Sequence, residues 1–212
     1  GQTHFKVLQD QSPWLEVVLN LPGLHNVRNA LAAIAVAHEV GVSDVTIVRA
    51  LQAFSGIDRR FHMQNIMMAQ GEILHIDDYG HHPHEIAAVL QAISDGWPQR
   101  RLVVAFQPHR YTRTQDLFDD FVQILATVDI LLLLDIYTAG EALIAGATGE
   151  ALYQAIRAKG RVNLQFVPHP EQLSTLLPSL LQAQDILLTL GAGNIGAVAA
   201  TLSSDLAIKK ED

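Results

Sequence analysis

No cysteine occurs among the 212 residues. That excludes a disulfide scaffold, a zinc–thiolate site and a thiol nucleophile. Basic residues are also few: Lys and Arg number 14 against 22 Asp and Glu, a net charge of −8. This argues against a nucleic-acid-binding surface, while leaving room for a local basic pocket that takes an anion. No apolar run reaches the roughly 18 residues of a membrane span. The opening GQTHFKVLQD has neither the basic start nor the apolar stretch of a signal peptide, so the cytoplasm is the expected location. It also lacks an initiator Met, and a fragment of a longer chain is expected. The phosphate loop G-x-x-x-x-G-K-[ST] is absent, so no triphosphate cradle is expected in this chain. What is present is 49% apolar and 17% charged residues. That composition fits a globular core, in one large domain or one domain plus part of another.

Residues 4–9 (HFKVLQ) and 14–21 (WLEVVLNL) flank a DQSP turn and predict a β-hairpin. Pro22-Gly23 introduces residues 25–39, which are Ala-rich with helical spacing and are stopped by Gly41. Ser43 is placed as the cap of a second helix over about 44–54, with Asp44 in its first turn. This opening segment is too short to bury a good core alone. After Gly56 the rhythm changes. RFHMQNIMMAQGEILHID reads as two strands around Gln70-Gly71, and strands then alternate with helices. Strands are expected at 72–77, 101–106, 129–134, 163–167 and 185–190. The helices that follow them are expected at 84–94, 115–126, 149–158, 170–182 and 194–203. The strands are continuous apolar runs, the mark of a parallel sheet covered on both faces. The fold class is α/β: a Rossmann-like, open, mostly parallel sheet with helices on both faces, preceded by a hairpin and two helices. The boundary falls near residues 56–61.

In such sheets, ligands bind beyond the carboxyl ends of the strands. Four of those ends are polar here. The first is Asp77-Asp78-Tyr79-Gly80-His81-His82-Pro83-His84. Its carboxylates could accept from ribose hydroxyls, or its Asp/His set could ligate a metal; the plainer alternative is that Asp77 caps the loop while one His packs beneath the next helix. The second is Gln107-Pro108-His109-Arg110-Tyr111-Thr112-Arg113-Thr114. Two guanidiniums three residues apart at a helix start make a carboxylate or phosphate clamp; the alternative is surface pairing with Asp116, Asp119 or Asp120. The third is Asp135 to Glu141. The fourth is GAGNIG at 191–196, a literal G-x-G-x-x-G. The dinucleotide fingerprint belongs to a first βαβ unit with an acidic residue ending the next strand, and only 16 residues follow here. These glycines are therefore read as a close strand-to-helix turn at the pocket edge. From the residues alone, a small-molecule-binding α/β module and a nicotinamide-dependent oxidoreductase domain stay open.

The stretches LPGLHNVRNALAA, GIDRRF, IDDYGHHPHE, FQPHRYTRT, Tyr137 to Glu141, and LGAGNIG, in this order and spacing, resemble the carboxyl-terminal part of the Mur ligases. FQPHRYTRT is similar to the alanine-adding members in particular. The resemblance implies that residues 1–56 are the end of a central ATP-binding domain and 57–212 a carboxyl-terminal Rossmann-like amino-acid-binding domain. It implies ATP-dependent addition of L-alanine to UDP-N-acetylmuramate in peptidoglycan biosynthesis, through an acyl phosphate. ATP and Mg2+ are the implied cofactors, with the magnesium ligands expected outside this chain, and the chain alone is expected to be inactive. No nucleic acid or membrane partner is implied.

By the same resemblance, His25, Asn26 and Asn29 fall on an adenine-binding segment, Arg60 on an arginine that reaches the ATP phosphates, and Asp78 on a ribose-holding aspartate. Arg60 and His81 are the implied catalytic residues. Tyr79, His81, His109, Arg110 and Arg113 are the implied substrate residues, the last three at the alanine carboxylate. Arg59 is expected to be merely solvated.

Overall fold

The computed structural model describes residues 2–207. The chain divides into two compact units, Gly1–Asp58 with Ala88–Pro98, and Arg59–Ala87 with Gln99–Asp212. In the first unit, β1 (Thr3–Gln9) and β2 (Ser12–Leu19) pair antiparallel, with an irregularity between Val7 and Leu8. Asp10 and Gln11 both adopt positive φ, the conformation a two-residue hairpin turn requires. Val7, Leu15 and Val17 pack with Ile34 of α1 (Leu24–Glu39) and Ile47 of α2 (Asp44–Ala53). Ser43 does stand before α2. Its hydroxyl, however, bonds to the Thr46 hydroxyl at 2.8 Å and makes no side-chain cap to the backbone.

The second unit is built on a six-stranded sheet in the order β3-β4-β8-β5-β6-β7. β3 (His62–Met68) and β4 (Gly71–Asp78) form the expected antiparallel hairpin. The rest is parallel: β4 with β8 (Ile186–Leu190), β8 with β5 (Leu102–Phe106), β5 with β6 (Ile130–Leu133), and β6 with β7 (Asn163–Phe166). The central strands are apolar on both faces because helices flank the sheet. Val103, Ala105, Leu132 and Leu187 pack with Leu173 and Leu177 of α7 (Leu173–Leu180) and with Ile195 and Leu202 of α8 (Ile195–Leu206). A 3-10 turn, Pro170–Gln172, leads into α7. The remaining helices are α3 (Pro83–Gly96), whose residues from Ala88 fall in the first unit, and α6 (Gly149–Lys159).

Two expected helices differ. The one expected at 170–182 begins as the 3-10 turn and its α-helical part ends at Leu180. Residues 115–126 were expected to be continuous, but the helix starts at Tyr111 and breaks at Leu117, giving α4 (Tyr111–Asp116) and α5 (Phe118–Leu125). Each short helix buries its own face: Tyr111 and Thr114 in α4, and Phe121, Val122 and Leu125 in α5. The Thr114 hydroxyl also donates to the Arg110 carbonyl at 2.9 Å, a back-bond that bends helices. Among the described residues, no helix is long and apolar enough to cross a membrane.

β8 is last in the chain but lies between β4 and β5. The carboxyl ends of β4, β8, β5 and β6 therefore stand side by side, which is where open α/β sheets bind ligands.

Candidate functional site

The strand ends are tied to one another by backbone hydrogen bonds. Gly191 N–H donates to the Asp78 carbonyl at 3.2 Å, Gln107 N–H to Leu190 at 2.9 Å, and Leu134 N–H to Phe106 at 2.9 Å. The four polar loops thus share one edge of one sheet.

At the β4 end the carboxylates are engaged internally. Asp78 is 5% exposed. One of its oxygens accepts from Phe61 N–H at 2.8 Å, and the other from Gly80 N–H at 2.7 Å. Asp77 accepts from the Thr189 hydroxyl at 2.8 Å and from Arg59 Nε at 3.2 Å. A hydroxyl has one proton, so with Thr189 donating to Asp77, the 3.0 Å contact from His75 Nε2 makes His75 the donor to Thr189. Burial, with the charge of His62, pushes His75 down to about 4. Burial pushes the Asp77 carboxyl up, against the pull of Thr189 and Arg59. The carboxylates here are engaged by protein donors on β8 and on the segments around Arg59 and Gly80 rather than Asp77 simply capping its own loop. Among the described residues, no group of three or more His, Asp or Glu side chains is arranged to hold a metal ion.

Arg59 is the main departure from expectation. It is half-buried rather than solvated. Its guanidinium bonds to Asp77 and to the Gly191 carbonyl, and its Cζ lies 5.1 Å from the Tyr79 ring centroid. That guanidinium occupies the space a Cβ on Gly196 would need. A Cβ on Gly193 would likewise collide with Gln107 and Tyr137, and one on Gly191, at a φ of 140°, with the Gln107 backbone. Gln107 is buried, accepts from Ile195 N–H at 2.9 Å, and donates to Asn194 at 2.6 Å. The glycines of GAGNIG are therefore a close-packed turn. Where a dinucleotide turn would let pyrophosphate approach, this one is filled by protein groups.

The β5 end differs. Arg110 opens α4 at φ 74° and is exposed. Arg113 Nη1 donates to both His109 Nδ1 and the His109 carbonyl, each at 3.1 Å. An arginine only donates, so His109 Nδ1 accepts and the ring proton sits on Nε2. Burial holds His109 below its ordinary value, and the charges of Arg113, His81 and Arg110 add to this against Glu141. Among the described residues, no ion pair joins Arg110 or Arg113 to Asp116, Asp119 or Asp120. Surface pairing thus does not account for the two arginines.

His81 brings the two ends together. Its ring centroid is 5.6 Å from Tyr79 and 5.8 Å from His109, and His109 stacks on Tyr137 at 5.5 Å. His81 Nδ1 donates to the Tyr79 carbonyl at 3.2 Å; in the neutral ring this tautomer leaves Nε2 as the acceptor. Glu85 accepts from the His81 and His82 amides at 3.0 and 3.2 Å. Burial alone would raise Glu85, but these two amides and nearby positive charge bring it below its ordinary value.

Tyr79, His81, His109, Arg110 and Arg113 therefore share this edge. Arg60 is exposed, with Cζ 5.6 Å from the Tyr79 ring. His25, Asn26 and Asn29 lie in the other unit, in the first turns of α1, where Asn26 donates to the Pro22 carbonyl at 2.7 Å. Sequence reasoning missed Gln107, Arg59 and Glu141. Gln107 had a signal in its place immediately after a buried strand. Glu141, which accepts from Thr112, lay in a stretch already noted for its resemblance.

Residues 59–193 match the family model described as "Mur ligase, glutamate ligase domain". The chain is 53% identical over 206 residues to a UDP-N-acetylmuramate–L-alanine ligase of Methylococcus capsulatus, covering 97% of this chain and 44% of that protein. The chain thus spans under half the length of that relative. Among solved structures, the UDP-N-acetylmuramate-alanine ligase MurC of Thermotoga maritima superposes with a TM-score of 0.75 at 28% identity, over 92% of this chain and 41% of that one. A folylpolyglutamate synthase of the same organism superposes at 0.61 with 15% identity, over 92% of this chain and 42% of that one, a likeness of fold alone.

Proposed function

The chain belongs to the Mur ligase family, and from this premise we propose that it is the amino-acid-binding part of an ATP-dependent ligase that joins L-alanine to UDP-N-acetylmuramate in peptidoglycan biosynthesis. The observation that carries this reading is the 53% identity over 97% of the chain to a ligase of that name. The unpaired arginines at the β5 end support it, because an incoming amino acid always brings a carboxylate. Residues 1–56 are the end of the central ATP-binding domain and 57–212 the carboxyl-terminal domain. The separate grouping of Gly1–Asp58 supports that division, and the grouping departs from it at Ala88–Pro98. The protein works in the cytoplasm.

The reaction passes phosphate from ATP to the muramic acid carboxylate. The amine of alanine then attacks the acyl carbon, and the tetrahedral intermediate expels phosphate. This chain's contribution is positioning and charge stabilisation. Arg110, Arg113 and the Nε2–H of His109 donate to the alanine carboxylate. The alanine ammonium must lose a proton before it attacks, and His81 Nε2 is the acceptor beside Tyr79. Arg60 faces the transferred phosphate. His25, Asn26 and Asn29 meet the adenine. Asp78 meets the ribose. The magnesium ligands are expected in the rest of the ligase.

The test is phosphate release by the complete ligase given ATP, UDP-N-acetylmuramate and L-alanine. Release that requires all three is the expected result, with none from the 212-residue chain alone. Alanine binding without turnover in the complete protein would instead favour a binding module.

A further inference from the structure

We propose that Glu141 is the positioning residue of the arginine clamp, holding Arg110 and Arg113 toward the amino-acid carboxylate; this rests on the alanine reading above. The α4 segment has no cap of its own. It opens on Arg110 at φ 74°, ψ 137°, a positive-φ conformation that costs a non-glycine residue energy, and the Arg110 side chain makes no cap hydrogen bond. Glu141 supplies that cap from the loop after β6. One of its oxygens accepts from Thr112 N–H at 3.0 Å, and the other from the Thr112 hydroxyl at 2.7 Å.

The same short turn is fixed at its other end. Arg110 N–H donates to the Tyr137 carbonyl and Tyr137 N–H to the Pro108 carbonyl, each at 2.9 Å. Glu141 N–H closes the turn on the Thr138 carbonyl at 3.0 Å, with Ala139 and Gly140 both at positive φ between them. Residues 137–141 thus grip the 108–112 segment twice, once before and once after Arg110. Glu141 uses both oxygens on Thr112; it also interacts with the Tyr111 amide and feels the charge of Arg110, but forms no ion pair with either arginine among the described residues. The bonds to Thr112 lower the Glu141 pKa and keep it ionised. The carboxylate fixes the backbone that carries the clamp and leaves the guanidiniums for a ligand.

The experiment is an L-alanine titration of the 15N-labelled 212-residue chain by NMR, with Glu141→Ala and Glu141→Gln alongside. Gln keeps a carbonyl acceptor for Thr112. In the parent, alanine shifts the Arg110 and Arg113 Nε–H signals. In Glu141→Ala the Kd for alanine rises about fivefold or more, and Thr112 amide exchange accelerates by a comparable factor, as expected for a lost cap. The amides of β4, β5 and β8 keep their protection, and Glu141→Gln restores most of both losses. A Kd within twofold of the parent in Glu141→Ala overturns the proposal. So does weakened binding that comes with loss of protection across the sheet and is not restored by Gln. A parent that does not respond to alanine overturns the amino-acid reading, and this proposal with it.

Discussion

The ends of β4 and β5 look alike as sequence. Each leaves an apolar strand and enters a run of histidines and charged residues, and both sit on the same sheet edge with β8 between them. Their side chains are used differently. At β4, Asp77 and Asp78 are nearly buried, and every carboxylate oxygen accepts from a backbone amide, a hydroxyl or a guanidinium. At β5, Arg113 bonds to the His109 ring and carbonyl, and among the described residues no ion pair joins Arg110 or Arg113 to a carboxylate, although the Arg110 charge is felt by Glu141. The first end organises the fold around the site. The second keeps two cations outside any ion pair among the described residues. Charged residues at a strand end thus differ in what they do according to whether partners inside the protein engage them.

The comparison breaks first at Asp78. Asp78→Ala strips the acceptor from two amides, Phe61 N–H and Gly80 N–H. At about 1–3 kcal/mol for each unsatisfied buried group, the loss is about 2–6 kcal/mol in denaturant melts. Asp78→Asn, which keeps one carbonyl oxygen, loses less. A melt of Asp78→Ala within about 1 kcal/mol of the parent would mean that the β4 end is not held by this carboxylate.

A second test uses pH. His75 titrates near 4 when folded, against an ordinary value of 6.5. The unfolded chain therefore takes up this proton first as pH falls. Stability present above pH 6.5 is lost progressively down to about pH 4, by about 3 kcal/mol in all. Asp77 acts in the opposite sense. Its folded pKa is raised, so above its ordinary value of 3.8 the folded chain takes up the proton first and offsets part of the loss. His75→Gln keeps a donor for Thr189 without the titration. The stability difference between parent and variant should change across pH 4–6.5, and a flat difference would place the acid sensitivity elsewhere.

Arg113→Lys in the complete ligase sharpens the contrast from the other side. Lys keeps the charge and loses the fork. One charged hydrogen bond is worth roughly 1.5–3 kcal/mol, so kcat/KM for alanine should fall on the order of tenfold to a hundredfold. The melt and the KM for ATP should barely move. The smallest effect is expected from Gly196→Ala. Its new Cβ displaces the end of the Arg59 side chain, which is flexible and one-quarter exposed (26%). Loss of the bonds to Asp77 and the Gly191 carbonyl costs about 1–2 kcal/mol, and thermal unfolding reads it.

Much of this was legible in the residues. The continuous apolar runs alternating with helices pointed to the sheet, and the two arginines three apart after Pro108 do stand at a strand end on its ligand-binding edge. Other features depend on partners far along the chain. Arg59 reads as a surface residue until Gly191, 132 positions later, supplies a carbonyl, and Gly196 supplies the space. His75 is an ordinary strand histidine until Thr189, 114 positions away, meets it across β4 and β8. The break at Leu117 carries no Gly or Pro. It comes from two short helices burying different faces, which local propensity does not encode.

The central claim is that the β5 end reads a carboxylate, and L-alaninamide tests it most directly, since it is alanine without that charge. In the complete ligase, kcat/KM for alanine should exceed that for the amide by on the order of a hundredfold or more, as expected for two charged hydrogen bonds. In the double variant Arg110→Gln, Arg113→Gln the preference should collapse to a few-fold, through loss of the alanine reaction alone. A preference that survives in the double variant, or that the parent never shows, would contradict the clamp.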